Sequence, residues 1–299
     1  MSTRILVTGA TGFIGRHLVR RLSAAGSRLV VVVRESSQSD ICEFDRDVQV
    51  ITHDGNPVGL QNSLDQHSVR GVIHLASEYV KDHNAEGIPS LVESNITFGA
   101  QVVEAASQAG AKWFLNVGSI WQHFGSQEGR AANLYAATKN GFEQILNYYS
   151  DSMGLLAVNL YIGDTYGPDD RRGKILNLWR DAAVEGRRVK MSPGHQRLSL
   201  LHVDDVSSAL LLMVKRFDQA PGPGSGEHAF FLGPEAWISL RNLAELFNEE
   251  TGLNLHVDWG ALPYRAREMM EPDVPFPRLP SWAAQVSLRN GIREVYSLD

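Results

Sequence analysis

The amino-acid sequence predicts an α/β fold, a doubly wound parallel sheet followed by a smaller C-terminal lobe. Three observations carry this reading. Short β-branched apolar runs alternate with segments of helical period through the first half of the chain, the pattern of βαβ units whose parallel strands are buried on both faces. A glycine-rich turn, Thr8-Gly9-Ala10-Thr11-Gly12-Phe13-Ile14-Gly15, joins the first run to the first helical segment. After about residue 165 the texture changes, with Gly, Pro and charge rising in Tyr166-Gly167-Pro168-Asp169-Asp170-Arg171-Arg172-Gly173.

In chain order, strands are expected at residues 5–8, 29–33, 48–52, 72–76, 112–117 and 155–160, each an apolar run bounded by turn residues or a helical segment. Helices are expected at 16–25, 98–109 and 133–153, where apolar residues recur at helical spacing. Later helices are expected at 175–185, at 203–214 (packing back on the first lobe) and at 240–251, closed by Gly252 in the helix-stop position. Pro221-Gly222-Pro223-Gly224-Ser225-Gly226 reads as a surface loop. Residues 260–299 are Pro-rich with few strong elements, and Trp282 reads as fold closure. The expected division is a nucleotide-binding unit at 1–164 plus about 198–234, and a smaller lobe at 165–197 and 235–299.

Composition narrows the function classes. The 299 residues are 43% hydrophobic and 21% charged, with a net charge of −6 and no long basic run. Nucleic-acid binding needs clustered Lys and Arg, so that partner is not expected. Arg171, Arg172 and Lys174 form a small local exception, read as an anion site. The one cysteine, Cys42, allows neither an internal disulfide nor a CxxC metal pattern, and no metal site is expected. No signal-like segment precedes the first strand, and no apolar run approaches the about 20 residues of a membrane span. A cytoplasmic protein without a membrane partner is expected.

The glycine turn follows a strand and opens a helix, the context that marks a dinucleotide fingerprint of Rossmann type. Gly9 permits the tight turn, Gly12 the approach of a pyrophosphate, and Gly15 close helix–strand packing. The helix N-terminus then presents N–H groups and a positive dipole to the phosphates. After Val33, at the end of the second strand, stand Arg34, Glu35, Ser36 and Ser37. An acid at that place would bond the ribose of NAD, whereas Arg34 is a planar donor suited to a 2′-phosphate. NADP(H) is therefore favoured over NAD(H), although Glu35 could face the ribose instead. Asp54, after the third strand, is placed either for the adenine edge or for capping its own loop.

Tyr135 and Lys139, in Tyr135-Ala136-Ala137-Thr138-Lys139, share one face of the long helix. A cation beside a phenol is expected to stabilise phenolate and lower the tyrosine pKa. Ketone reduction uses such a pair: hydride goes to carbon while a hydroxyl delivers a proton to oxygen. Ser119, after the fifth strand, stands at the carboxyl edge where ligands bind such sheets, as a third group for the carbonyl or as a capping serine. His74 is read as satisfying a backbone group near the sheet end.

Together these residues resemble the extended short-chain dehydrogenase/reductase family, of NAD-dependent epimerase/dehydratase type. The resemblance rests on the glycine turn, His74-Leu75-Ala76-Ser77, Asn95, the Tyr135/Lys139 pair, Asp164-Thr165-Tyr166-Gly167-Pro168 and His202-Val203-Asp204-Asp205-Val206. It implies Ser119, Tyr135 and Lys139 as catalytic. It implies a cofactor site of Gly9, Thr11, Gly12, Phe13, Ile14, Gly15, Arg34, Asp54, Leu75, Ala76, Ser77, Val117, Tyr135, Lys139 and Ile162, with Asn95 counted among them as a structural helper. The stretches 117–124, 133–135 and 164–174 look like the CDP-abequose and CDP-paratose synthase type, which reduces C4 of a nucleotide-linked 4-keto-6-deoxyhexose with NADPH.

Three departures from the family pattern matter. Ile120 and Trp121 replace the Asp-Glu pair of the 4,6-dehydratases, so dehydration is not expected. Ser119 lies one residue earlier than the usual catalytic position. Leu198 replaces the arginine that often precedes the His202 segment, with Arg197 beside it. The substrate set is expected from Trp121, Gln122, Asp164, Arg172, Lys174 and Arg197, with His123 a neighbour of the sugar. The resulting expectation is a nucleotide-sugar 4-ketoreductase. An NAD-dependent C4 epimerase, an NADPH reductase of a non-sugar ketone and a non-catalytic NADP sensor remain as alternatives. By family analogy a homodimer through the long helix is expected.

Overall fold

The computed structural model describes residues 4–37, 44–80, 82–126, 128–219, 228–272 and 274–297. Cys42 and the loop at 221–226 lie outside the described residues. The chain starts with β1 (Arg4–Thr8), α1 (Phe13–Ala24), β2 (Leu29–Arg34), β3 (Gln49–His53), α2 (Pro57–Asp65) and β4 (Val69–His74). Then come α3 (Ile88–Val92), α4 (Phe98–Gln108), β5 (Trp113–Ser119), α5 (Leu134–Met153), β6 (Leu156–Ile162) and β7 (Asp164–Tyr166). Next are α6 (Ile175–Val184), β8 (Arg188–Met191), β9 (Arg197–Leu198), β10 (Leu200–His202), α7 (Val203–Gln219) and β11 (Ala229–Leu232). The last elements are β12 (Ile238–Ser239), α8 (Leu240–Thr251), β13 (His256–Trp259) and α9 (Leu288–Tyr296).

Seven strands form one sheet in the order β11-β6-β5-β4-β1-β2-β3. Every pairing in it is parallel. The chain leaves β1 toward β2 and later returns to β1's other edge with β4, so a crevice opens at the carboxyl ends of β1 and β4. The near-continuous apolar strands follow from burial on both faces: Leu6, Val30, Val31, Val72, Ile73, Phe114 and Leu115 are all fully buried. One face is covered by α1 and α7, through Leu18, Leu22, Leu210 and Met213. The other carries α2, α4 and α5, through Leu60, Val102, Val103 and Phe142. A further cluster joins α6, α8 and α9 around Trp179, Phe247 and Tyr296.

Several elements differ from the sequence expectation, each for a local reason. The fourth strand spans Val69–His74 rather than 72–76. Gly71 pairs with both Ile5 and Trp113, and a Cβ there would sit 2.0 Å from the Trp113 ring. The first helix starts at Phe13, not residue 16, because the glycine turn itself forms its first turn. The Pro-rich tail holds an unexpected helix, α9, capped by Ser287 and held by Arg289 and Arg293 against buried Glu250 of α8. Helix α2 was likewise not expected, although Asn56 caps it and Pro57 occupies its first turn.

Candidate active site

The glycine turn does what its residue types allow. Gly9 has φ +68°, and a Cβ on it would lie 2.6 Å from the Ala76 nitrogen. A Cβ on Gly15 would lie 2.1 Å from the Gly9 carbonyl, so α1 approaches β1 closely only with glycine there. Gly12 caps α1 without a side-chain acceptor, and no acid stands in the first turn. The orphan N–H groups of α1 are thus left for an anion.

Two cavities meet at this turn, sharing Gly9, Gly12, Leu75 and Ser77. The first, about 630 Å³, runs from Thr11 and Ala76 to Arg34, Glu35, Ser36, Ser37, His53 and Asp54. The second, about 520 Å³, is lined by Phe13, Ile14, Gly15, Val117, Ile162 and the Tyr135/Lys139 face of α5. Together the two cavities form a crevice passing an uncapped helix N-terminus, an arrangement suited to the phosphates of a dinucleotide. Asp54 lines the first cavity and accepts a hydrogen bond from Asn56 N at 2.9 Å, which caps its own loop.

Around the second cavity the elements converge. Asn133 caps α5 through Ala136 N at 2.9 Å, which sets Tyr135 in the first turn. Ser119 ends β5 and accepts from Trp121 N at 3.3 Å. Ser77 and Ser119 stand beside the Tyr135 phenol and both act to lower its pKa. Tyr79 meets Tyr135 edge-on at 5.1 Å, and Lys174 Nζ lies 4.0 Å from the Tyr79 ring centroid. Lys174 also donates to Asp164 at 3.1 Å, on the same wall.

Burial governs the titration of these groups. It pushes the Tyr135 phenol up to about 12, with Tyr79 and Asp164 adding to the rise while Ser77 and Ser119 oppose it. This corrects the expectation that Lys139 lowers the phenol: with its own pKa at about 8, Lys139 is neutral where the phenol ionises, and its charge can act only on a phenolate formed near neutral pH. The Lys139 Nζ lies 5.9 Å from the ring centroid, and the downward influence comes from the two serines. Lys139 itself is lowered by burial to about 8, with Glu143 pushing it back up. His74 is lowered to about 3, first by burial and then by Lys139.

A model of the NAD dependent epimerase/dehydratase family matches residues 5–227. The chain belongs to that family. It is therefore an NAD(P)-dependent enzyme of the epimerase/dehydratase group. CDP-abequose synthase of Yersinia pseudotuberculosis is 28% identical over 278 residues, 90% of this chain and 92% of that protein. In fold, the chain resembles UDP-glucose 4-epimerase of Thermotoga maritima solved with UDP-glucose, at TM-score 0.84 and 21% identity over 98% of this chain and 97% of that one. The UDP-glucose 4-epimerase of Thermus thermophilus in complex with NAD gives 0.79 at 22% identity, covering 97% of each chain.

Not every residue expected at this epimerase/dehydratase-family site reaches it. Gln122 is fully buried. Its Oε1 accepts from Ser119 N at 2.8 Å and its Nε2 donates to Asn140 and Glu143, so it braces β5 and lines neither cavity. Arg197 donates to the Trp237 carbonyl and pairs with Glu271, away from both cavities. Asn95 lies in a π-helical turn, Glu93–Thr97, and spends its carboxamide on Ser77, Glu78 and Thr138; it orients Ser77 and lines neither cavity. His123 is packed edge-on against Tyr161 and Phe276 and lines neither cavity. His74 bonds the Thr8 hydroxyl at 2.8 Å, not a backbone group.

Trp121, Asp164, Arg172 and Lys174 do line the second cavity. Arg172 is held there by Asp170 and by the Thr165 carbonyl, 4.1 Å above the Phe13 ring. Arg171 is exposed. Tyr79 and Glu143 were not foreseen. Glu143 had a signal, since it continues the four-residue spacing of Tyr135 and Lys139; Tyr79 had none. Among the described residues no cluster of His, Cys, Asp or Glu could hold a metal, and no helix is long and apolar enough to cross a membrane.

Proposed function

We propose that this enzyme reduces the C4 ketone of a nucleotide-linked 4-keto-6-deoxyhexose, using NADPH. The observation that carries the reading is the convergence of Tyr135, Lys139, Ser77 and Ser119 on one cavity, with Ile120 and Trp121 following Ser119. A protonated phenol with a pKa raised to about 12 is a proton donor at neutral pH. A dinucleotide held along the glycine turn would supply hydride for the carbonyl carbon. Tyr135 gives its proton to the carbonyl oxygen, Ser119 orients that oxygen, and the Lys139 ammonium steadies the phenolate left behind. The absence of an acid–base pair after Ser119 supports reduction over dehydration, and the similarity to CDP-abequose synthases supports a nucleotide-sugar substrate.

NADPH is supported by Arg34, which ends β2 beside Ser36 and Ser37 in the first cavity and offers donors for a 2′-phosphate. Arg172 and Lys174 stand on the wall where a substrate diphosphate would lie, with Trp121 and Tyr79 as apolar surface for the sugar. Residues 165–197 and 235–299 are read as the substrate lobe. Exposed Tyr148 and Met153 on α5 support a homodimer through that helix. One observation favours a second reading: Glu35 lines the same cavity as Arg34, and an NAD-dependent C4 epimerase would place an acid on the ribose there.

The test is NADPH absorbance, with NADH in parallel, on adding CDP- or dTDP-linked 4-keto-6-deoxyglucose. Consumption of NADPH that falls by about 10²–10⁴-fold in Tyr135→Phe is the expected outcome. No consumption with either cofactor contradicts it, and NAD co-purifying with the protein would turn the reading to the epimerase.

A further inference from the structure

We propose that Glu143 is a positioning residue for the proton pair: its carboxylate, fixed behind α5 by donors from β6 and the turn after β5, keeps the Lys139 ammonium charged. This rests on the reading of Tyr135 and Lys139 as the proton-transfer pair.

Tyr135, Lys139 and Glu143 occupy successive four-residue positions of α5 and so share a face. The first two line the second cavity; Glu143 sits one turn further along and lines neither. Its carboxylate is held by neutral donors. Oε1 accepts from the Tyr161 hydroxyl at 2.5 Å and from Asn159 Nδ2 at 3.3 Å, while Oε2 accepts from Gln122 Nε2 at 2.9 Å. Two of these donors are themselves fixed: Gln122 accepts from Ser119 N at 2.8 Å, and Asn159 accepts from Asn116 Nδ2 at 2.8 Å. Burial raises the Glu143 carboxyl, while Tyr161, Gln122 and Lys139 hold it down.

The use of this anion lies one turn back. Burial lowers Lys139 to about 8, and Glu143 opposes that fall. The other groups facing Lys139 are Tyr135 on its own helix and His74 of β4, whose imidazole burial keeps neutral. Facing Glu143 are Tyr161 and Glu128; the charge of Glu128 pushes the carboxyl up. A neutral lysine gives no electrostatic support to a phenolate, so Glu143 acts on the reaction through Lys139 without touching substrate.

The experiment is a ¹³C NMR titration of the Lys139 side chain in lysine-labelled protein, with the resonance assigned by Lys139→Arg. In Glu143→Gln the Lys139 midpoint should fall by about one pH unit. The alkaline limb of kcat should move down with it, and KM for the ketone should change less than about two-fold. Glu143→Asp should restore part of the shift. An unchanged midpoint in folded Glu143→Gln, or a kcat loss equal at every pH, overturns the proposal. Should Glu143→Gln not fold, reciprocity supplies a second measurement: in Lys139→Met the Glu143 carboxyl should titrate at higher pH, and an unchanged value overturns the proposal. The titrations need no turnover. Failure of the proton-pair reading would appear separately, as undiminished ketone reduction in Tyr135→Phe.

Discussion

Lys139 shows how the site sets function against stability at the level of one residue. Its burial lowers the ammonium from its ordinary value of 10.5 to about 8, so below 10.5 the unfolded chain binds this proton more tightly than the folded one does. The stability associated with neutral Lys139 is present above 10.5 and is lost as pH falls toward 8, which leaves a charged, desolvated group in the fold at neutral pH. Lys139→Met is therefore expected to raise the melting temperature by a few degrees while lowering kcat by about 10²-fold or more. Calorimetry and the ketone assay on one preparation check both halves. His74 follows the same sign. With its folded pKa near 3 against 6.5, its stabilising contribution is full above 6.5 and declines as pH falls toward 3. Urea unfolding should lose about 2 kcal/mol between pH 7 and pH 5 through this residue, a loss that His74→Gln removes. Tyr135, Lys139 and Ser119 were legible in the sequence, because helical spacing and strand-end position bring them to one cavity. The sequence could not make Ser77 legible as a second group beside the phenol, nor Gln122 as a brace, since both depend on where β4 ends and how the turn after β5 folds inward.

Among the elements, those whose signal is local were readable. The strands appear as β-branched runs, and α5 begins at an Asn cap and stops at Gly154 in the left-handed region. Helix α9 was missed because its strongest tether is distant: buried Glu250 of α8 accepts from Arg293 Nε at 2.9 Å and pairs with Arg289 as well. β4 was displaced because Gly71 reads as a strand breaker, yet the Trp113 ring packs over it and needs the missing side chain. The junction of β1 and α1 gives a prediction at this scale. In Gly15→Ala the new Cβ meets backbone, the Gly9 carbonyl at 2.1 Å, which cannot move aside as a side chain would. The helix must shift off the strand. NADPH affinity should fall by more than about 10-fold and stability by about 1–3 kcal/mol, measured by fluorescence titration and urea unfolding.

For the molecule as a whole, the parallel sheet brings the ends of β1, β2, β4, β5 and β6 to one edge, and the two cavities lie along it. The fold class was legible because alternation of buried strands and helices leaves few other solutions. The wall of the second cavity formed by Tyr79, Trp121, Arg172 and Lys174 was less legible, since these residues come from loops after β4, β5 and β7 whose paths the periodicity does not specify. Cofactor choice belongs to this scale, at the far end of the edge from Tyr135. Arg34→Ala should lower kcat/KM for NADPH by about 10–100-fold and change that for NADH little, the loss of one charge-assisted contact to a phosphate. Equal losses for both cofactors would remove Arg34 from 2′-phosphate recognition.

The most direct measurement is the fate of a deuteride from 4,4-dideuterated NADPH, followed by mass spectrometry of the sugar nucleotide with CDP- or dTDP-linked 4-keto-6-deoxyglucose as substrate. Reduction by the Tyr135/Lys139 site predicts one deuterium at C4 of the alcohol per NADPH consumed, abolished in Tyr135→Phe. Recovery of the unreduced ketone, or a C4 alcohol that carries no deuterium, would contradict the account.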